Sequence, residues 1–182
     1  MTKKNLLAYA AIALLFGAMG AYVGLNKKDA AGPQTTAVAP GVTGPVNALF
    51  QQSLPDEKGV QQALARHKGK ALLVNFWAPW CGPCVQEMPE LSALQSESSA
   101  KNVQIIGIGI DSPGNIAEFA GKFKIAYPLY VAGMEGTELS RQFGNSAGGL
   151  PYTVLIGADG QVKKTYLGRL KFDELRADLA TL

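Results

Sequence analysis

Cysteine occurs only twice in the chain, as Cys81 and Cys84 in the run Trp80-Cys81-Gly82-Pro83-Cys84. Two sulfurs three positions apart share one face of a helical turn and lie within bonding reach of each other. An apolar run of strand length precedes the pair and a helical pattern follows it, which puts Cys81 at a helix N-terminus. Unpaired backbone N–H groups and the helix dipole favour an anion there, so the Cys81 thiolate is expected to form more readily than that of an ordinary cysteine. Gly82 gives the tight turn. Pro83 costs nothing in the first helical turn, where its missing donor has no intrahelical partner anyway. The block is suited to making and breaking one local disulfide. A purely structural bridge is the first competing reading, but closing so short a loop restrains little of the unfolded chain. Zinc is the second; it needs four ligands, and the chain adds only one histidine, His67, to its two cysteines. His67 stands between Arg66 and Lys68 and reads as a solvated surface residue. No metal or cofactor is expected.

The elements that must hold the pair follow from hydropathy. Residues 71–76 (ALLVNF) and 103–110 (VQIIGIGI) are short continuous apolar runs, as strands buried on both faces are. Between them, Val85, Met88, Leu91 and Leu94 recur every three positions over 83–95, one stripe of a helix in which Pro89 is expected to make a kink. Ser112 followed by Pro113 opens another helix, with Ile116, Phe119, Ala120 and Phe123 as its apolar face. A short strand near 128–131 and a short helix near 137–143 follow. Residues 152–156 and 161–167 then form a hairpin through Asp159-Gly160, and Phe172, Leu175, Leu179 and Leu182 mark a last helix. Ahead of the first run, a short helical or hairpin segment is expected over 60–65. Strands alternating with helices predict a three-layer α/β/α domain with a mixed central sheet.

The 182 residues suffice for one compact domain plus accessory segments. The formal net charge is +3, yet four of the 17 basic residues (Lys3, Lys4, Lys27, Lys28) flank the first apolar run. The other 13 stand against 14 acids, so the remainder offers no electrostatic footprint for a nucleic acid. Residues 6–25 are uncharged, and twenty helical residues span roughly the 30 Å of a hydrocarbon core. Residues 1–28 therefore read as an N-terminal membrane anchor, a cleaved signal peptide being the alternative. The very short N-terminal flank favours a cytoplasmic N-terminus and an exported domain. Residues 29–46, rich in Ala, Gly, Pro and Thr, read as a flexible linker, and 47–182 as the folded domain.

The stretch VNFWAPWCGPCVQEMPEL, residues 74–91, resembles the active-site segment of the thioredoxin superfamily, most closely its membrane-tethered TlpA/ResA/DsbE branch, and the likeness extends from about residue 49 to the C-terminus. The resemblance implies a thioredoxin fold and a thiol-disulfide oxidoreductase in which Cys81 attacks a protein disulfide and Cys84 resolves the mixed disulfide. It also implies an exported, single-pass protein of the cytoplasmic membrane, a monomer, with its catalytic domain on the periplasmic or extracytoplasmic side. A membrane dithiol carrier is then the electron donor. Apocytochrome c and the copper-site cysteines of oxidases are the substrates the branch suggests.

Asn75 departs from cytoplasmic thioredoxins, which carry a buried aspartate there, so no carboxylate comes from that position. Glu87 lies three residues beyond Cys84 and on its helical face. The residues alone leave it either a proton carrier for Cys84 or a surface glutamate; the resemblance favours the first. Pro151 matches the family's cis proline packed on the cysteine pair, which leaves the backbone of Leu150 free to pair with an extended substrate and Trp80 to form an aromatic wall. The Gly-Pro dipeptide between the cysteines is that of reducing thioredoxins, which favours a reductase over a disulfide oxidant. A thioredoxin-fold copper chaperone would need further soft ligands near the cysteines, and Met88, at helical spacing, reads as core. A peroxidase lacks its nucleophile setting here.

Overall fold

The computed structural model describes residues 44–98 and 102–182. The expected anchor, 1–28, and the linker up to residue 43 lie outside the described residues. Among the described residues no helix is long and apolar enough to cross a membrane.

Helix α1 spans Pro45–Gln51, with proline at its first turn and Val46 and Leu49 buried. It thus takes in two residues that composition assigns to the linker: Pro45 is preorganised for a helix start, and Val46 has a core to enter. A small hairpin follows, β1 (Ser53–Pro55) against β2 (Gln61–Ala63), and then a 3-10 turn, Leu64–His67. The main sheet has the order β5-β4-β3-β6-β7. Its members are β3 (Ala71–Trp77), β4 (Val103–Gly109), β5 (Leu129–Val131), β6 (Tyr152–Ile156) and β7 (Val162–Leu167). The strands β3, β4 and β5 run parallel, while β6 is antiparallel to both β3 and β7.

Every residue of the central strand β3 is buried, as its unbroken apolar run requires. Side chains alternate across a strand, and the two faces accordingly build two cores. Ala71, Leu73 and Trp77 meet α2 (Gly82–Ser98), α3 (Pro113–Lys122) and α5 (Phe172–Leu179). Leu72, Val74 and Phe76 meet α1, Leu54, and Leu139 of α4 (Glu135–Gln142). Met88, Leu91 and Leu94 bury one side of α2. Each side chain of that size contributes about 1.5–3 kcal/mol on leaving water, which seats the helix firmly enough to fix its first turn. Pro89 lies within α2, which continues unbroken past it. The expected cap of α3 is present, with the Ser112 hydroxyl accepting the Asn115 N–H at 3.3 Å. Phe123, placed on the apolar face of α3 by its spacing, is 42% exposed because the helix has ended one residue earlier.

His67 corrects the sequence reading. It is buried, with Nε2 2.8 Å from the Tyr130 hydroxyl. The 3-10 turn carries it inward while its charged neighbours stay outside. Burial, and then the charges of Arg66 and Lys70, push the imidazole down to about 4 from 6.5. A base held neutral in the folded chain but protonated in the unfolded one makes stability fall as pH drops. The loss begins near pH 6.5 and is complete below about 4, on the order of 3 kcal/mol, or several degrees of Tm for a chain of this size. His67→Gln, which keeps a partner for Tyr130, should flatten that part of the Tm-against-pH curve. An unchanged curve would remove His67 as the cause.

Candidate redox site

Strand β3 ends at Trp77, and a turn closed by the Cys81 N–H on the Ala78 carbonyl (3.1 Å) leads into α2. The Val85 N–H donates to the Cys81 carbonyl at 3.1 Å, so Cys81 occupies the capping position. Cys81 and Cys84 are joined as a disulfide, with their Cα atoms 5.3 Å apart. The Cys84 backbone N–H points at Cys81 Sγ, 3.3 Å away. This is one of the unpaired N–H groups of a helix start, aimed at the sulfur that would carry negative charge after reduction. Cys81 is 7% exposed and Cys84 fully buried, so a partner reaches the first sulfur and not the second.

Glu87 is fully buried, which excludes the surface-glutamate reading. Its Oε1 accepts from Asn75 Nδ2 at 2.8 Å and its Oε2 from the Leu170 N–H at 3.0 Å. Burial raises its pKa above the usual 4.5; the two hydrogen bonds and the charge of Arg169 pull in the opposite direction without cancelling the rise. A carboxyl group that titrates higher than usual, one helical turn from Cys84, is suited to exchanging a proton.

Asn75 has a role that sequence reasoning missed. Its Nδ2 also donates to Thr153 Oγ1 at 3.0 Å, and Thr153 is its cross-strand partner on β6. The asparagine therefore ties Glu87 to the centre of the sheet. A polar residue inside the apolar run ALLVNF was the signal for it. Nothing in the sequence pointed to the Leu170 N–H. The Asn75 Oδ1 is buried and has no hydrogen-bond partner.

The Leu150–Pro151 peptide bond is cis, as the resemblance implied. Leu150 is half-buried, and Trp80 is 68% exposed. Both line a groove of about 740 Å³ whose other walls include Ile110, Pro113, Val131 and Met134. Asp111 is the acidic residue in this mainly apolar lining. The structure thus brings Trp80 and Leu150 together along one groove, while Glu87 lies buried one turn beyond Cys84 on α2.

Comparison with known proteins gives a consistent picture. A family model described as Redoxin matches residues 28–179. The thiol-disulfide oxidoreductase ResA of Geobacillus thermodenitrificans is 30% identical over 150 residues, covering 82% of this chain and 81% of the relative. ResA of Bacillus cereus is 31% identical over 125 residues, covering 68% of this chain and 70% of its own. Among solved structures, a thiol:disulfide interchange protein of the thioredoxin family from Chlorobium tepidum superposes with a TM-score of 0.61 at 27% identity, covering 71% of this chain and 91% of that one.

Proposed function

This chain belongs to the redoxin family and is a thioredoxin-fold thiol-disulfide oxidoreductase, and on that footing we propose that it reduces disulfides of exported proteins from a membrane-anchored position. The observation that carries the reading is the pairing of a reachable Cys81, on the opening turn of a long helix, with a Cys84 buried beneath it. Reduced Cys81, as its thiolate, attacks one sulfur of a partner disulfide, and the other partner sulfur leaves as a thiolate that takes up a proton. Cys84 then gives up its proton, attacks Cys81 Sγ and releases the second partner sulfur; the enzyme ends oxidised and the partner reduced by two electrons. Glu87 receives the Cys84 proton. Trp80 and Leu150 hold the partner chain in the groove.

Residues 1–28 form the anchor in this reading, and the linker brings the domain, acting as a monomer, to its substrates outside the cytoplasmic membrane. A membrane dithiol carrier returns the enzyme to its reduced form. Apocytochrome c cysteines awaiting haem, or copper-site cysteines of an oxidase, are the substrates that a chain similar to ResA and to thiol:disulfide interchange proteins would meet there. The test is the reduction potential of the full-length chain, together with its rate of insulin-disulfide reduction. A value near that of thioredoxin, about −270 mV, with catalysed insulin reduction is expected; a value near the −120 mV of strong oxidants would overturn the reductase assignment.

A further inference from the structure

Asn145 lies in the glycine-rich loop between α4 and β6, and at 2% exposure it is among the most buried polar residues of those described. Two of the three hydrogen bonds of its side-chain amide go to one neighbour. Nδ2 donates to the Gly149 carbonyl at 3.0 Å, and Oδ1 accepts the Gly149 N–H at 3.1 Å. The second N–H of the amide reaches Ser140 Oγ at 3.2 Å, and that hydroxyl is anchored on the Thr137 carbonyl at 2.8 Å. Both donors of the asparagine are therefore in use, and its orientation is set by the network, since neither Gly149 group can exchange its donor or acceptor role. A side chain here does what a neighbouring strand does in a sheet: it pairs with the N–H and the C=O of a single residue.

The consequence falls on the next residues. Gly149 is occupied in full. Pro151 has no N–H, and its carbonyl accepts the Gly168 N–H at 2.9 Å. Over 149–151 this leaves two backbone groups without a partner among the described residues, the N–H and the C=O of Leu150. Leu150 is also the residue of that stretch whose side chain lines the groove beside Trp80.

We propose that Asn145 is a positioning residue that sets the register of substrate docking: by holding both polar groups of Gly149, it fixes the backbone beside Leu150 so that an incoming extended segment pairs at one rung, at Leu150. The substrate class that follows is an extended peptide disulfide whose residue opposite Leu150 retains its N–H. Proline or an N-methylated residue at that place leaves the Leu150 carbonyl unpaired. This inference rests on the reductase reading of the site. It concerns recognition and leaves the sulfur chemistry alone, because the side-chain hydrogen bonds of Asn145 go to Ser140 and Gly149 and not to either cysteine.

The experiment uses the reduced full-length chain and two substrates: a cysteine-bridged extended peptide, and a small disulfide without peptide groups, such as hydroxyethyl disulfide. In Asn145→Ala, the peptide concentration giving half-maximal rate should rise about tenfold, the loss expected when a two-bond rung is no longer presented. The maximal rate, the rate with the small disulfide and the reduction potential should stay as in the parent chain. Asn145→Asp keeps the acceptor for the Gly149 N–H and loses the donor to its carbonyl; it should fall between the two, and it carries the test should the alanine variant misfold. The parent chain should also distinguish the peptide from its derivative N-methylated opposite Leu150, and Asn145→Ala should do so no longer. Equal slowing on both substrates, or none on either, would overturn the role of Asn145. Failure of the parent chain to reduce either substrate would instead sink the reductase reading beneath it.

Discussion

Replacing Cys84 with alanine is expected to convert transient partners into covalent ones, whereas replacing Cys81 should trap nothing. In the parent chain the mixed disulfide on Cys81 is opened from within, by a sulfur whose Cα lies 5.3 Å away across one helical turn. Well-oriented intramolecular attack has an effective molarity of about 10⁵ M or more, so no external thiol at millimolar concentration competes with it. Without Cys84 the adduct waits for such a thiol, and turnover with a protein disulfide should fall by at least about 10²-fold. The asymmetry follows from exposure: Cys84 is fully buried, and in Cys81→Ala it cannot meet a partner. Non-reducing electrophoresis of the two variants, isolated from cells, reads the outcome directly. Equal adduct formation by both would contradict the order of attack.

The parts of this site that the sequence disclosed are those built from contiguous residues. A strand buried on both faces reads as an unbroken apolar run, so β3 and β4 were visible, and the block from Trp80 to Cys84 stands where the first of them gives way to a helix. Groups joined through the fold were not visible. The Leu170 N–H that binds Glu87 is 83 positions away in the chain, and a backbone donor carries no residue signature. Asn145 sits among glycines and looks like an ordinary turn residue until its amide is seen to face Gly149. His67 misled for a related reason. Its neighbours Arg66 and Lys68 advertise a surface, and only the tight 3-10 turn rotates that one side chain toward Tyr130. Chain-local chemistry was therefore legible, and the supports that orient it had to be observed.

Glu87 gives the second large effect. For Cys84 to attack, its thiol must lose a proton in a place closed to water, where burial disfavours the thiolate. The carboxylate one turn along α2 is the acid-base group on that face, and Glu87→Gln removes its ability to take the proton while preserving its shape. The glutamine carbonyl can still accept the Leu170 N–H. Its amide can donate to Asn75, whose Oδ1 lacks a partner in the parent chain and becomes available if the asparagine amide turns over. The resolving step should slow by about 10²-fold, and the part of its pH profile that follows deprotonation of Glu87 should vanish. Stability should move the other way. A carboxyl whose folded pKa lies above its unfolded value of 4.5 contributes stability below pH 4.5 and loses it as pH rises through the folded value. Once pH has risen through that folded value the ionised Glu87 costs stability, so Glu87→Gln should melt higher than the parent on that side of the titration, with the difference disappearing below pH 4.5. A variant that is slower yet harder to unfold cannot be explained by damage to the fold. Resolution kinetics unchanged from roughly pH 6 to 9 would remove Glu87 from the mechanism.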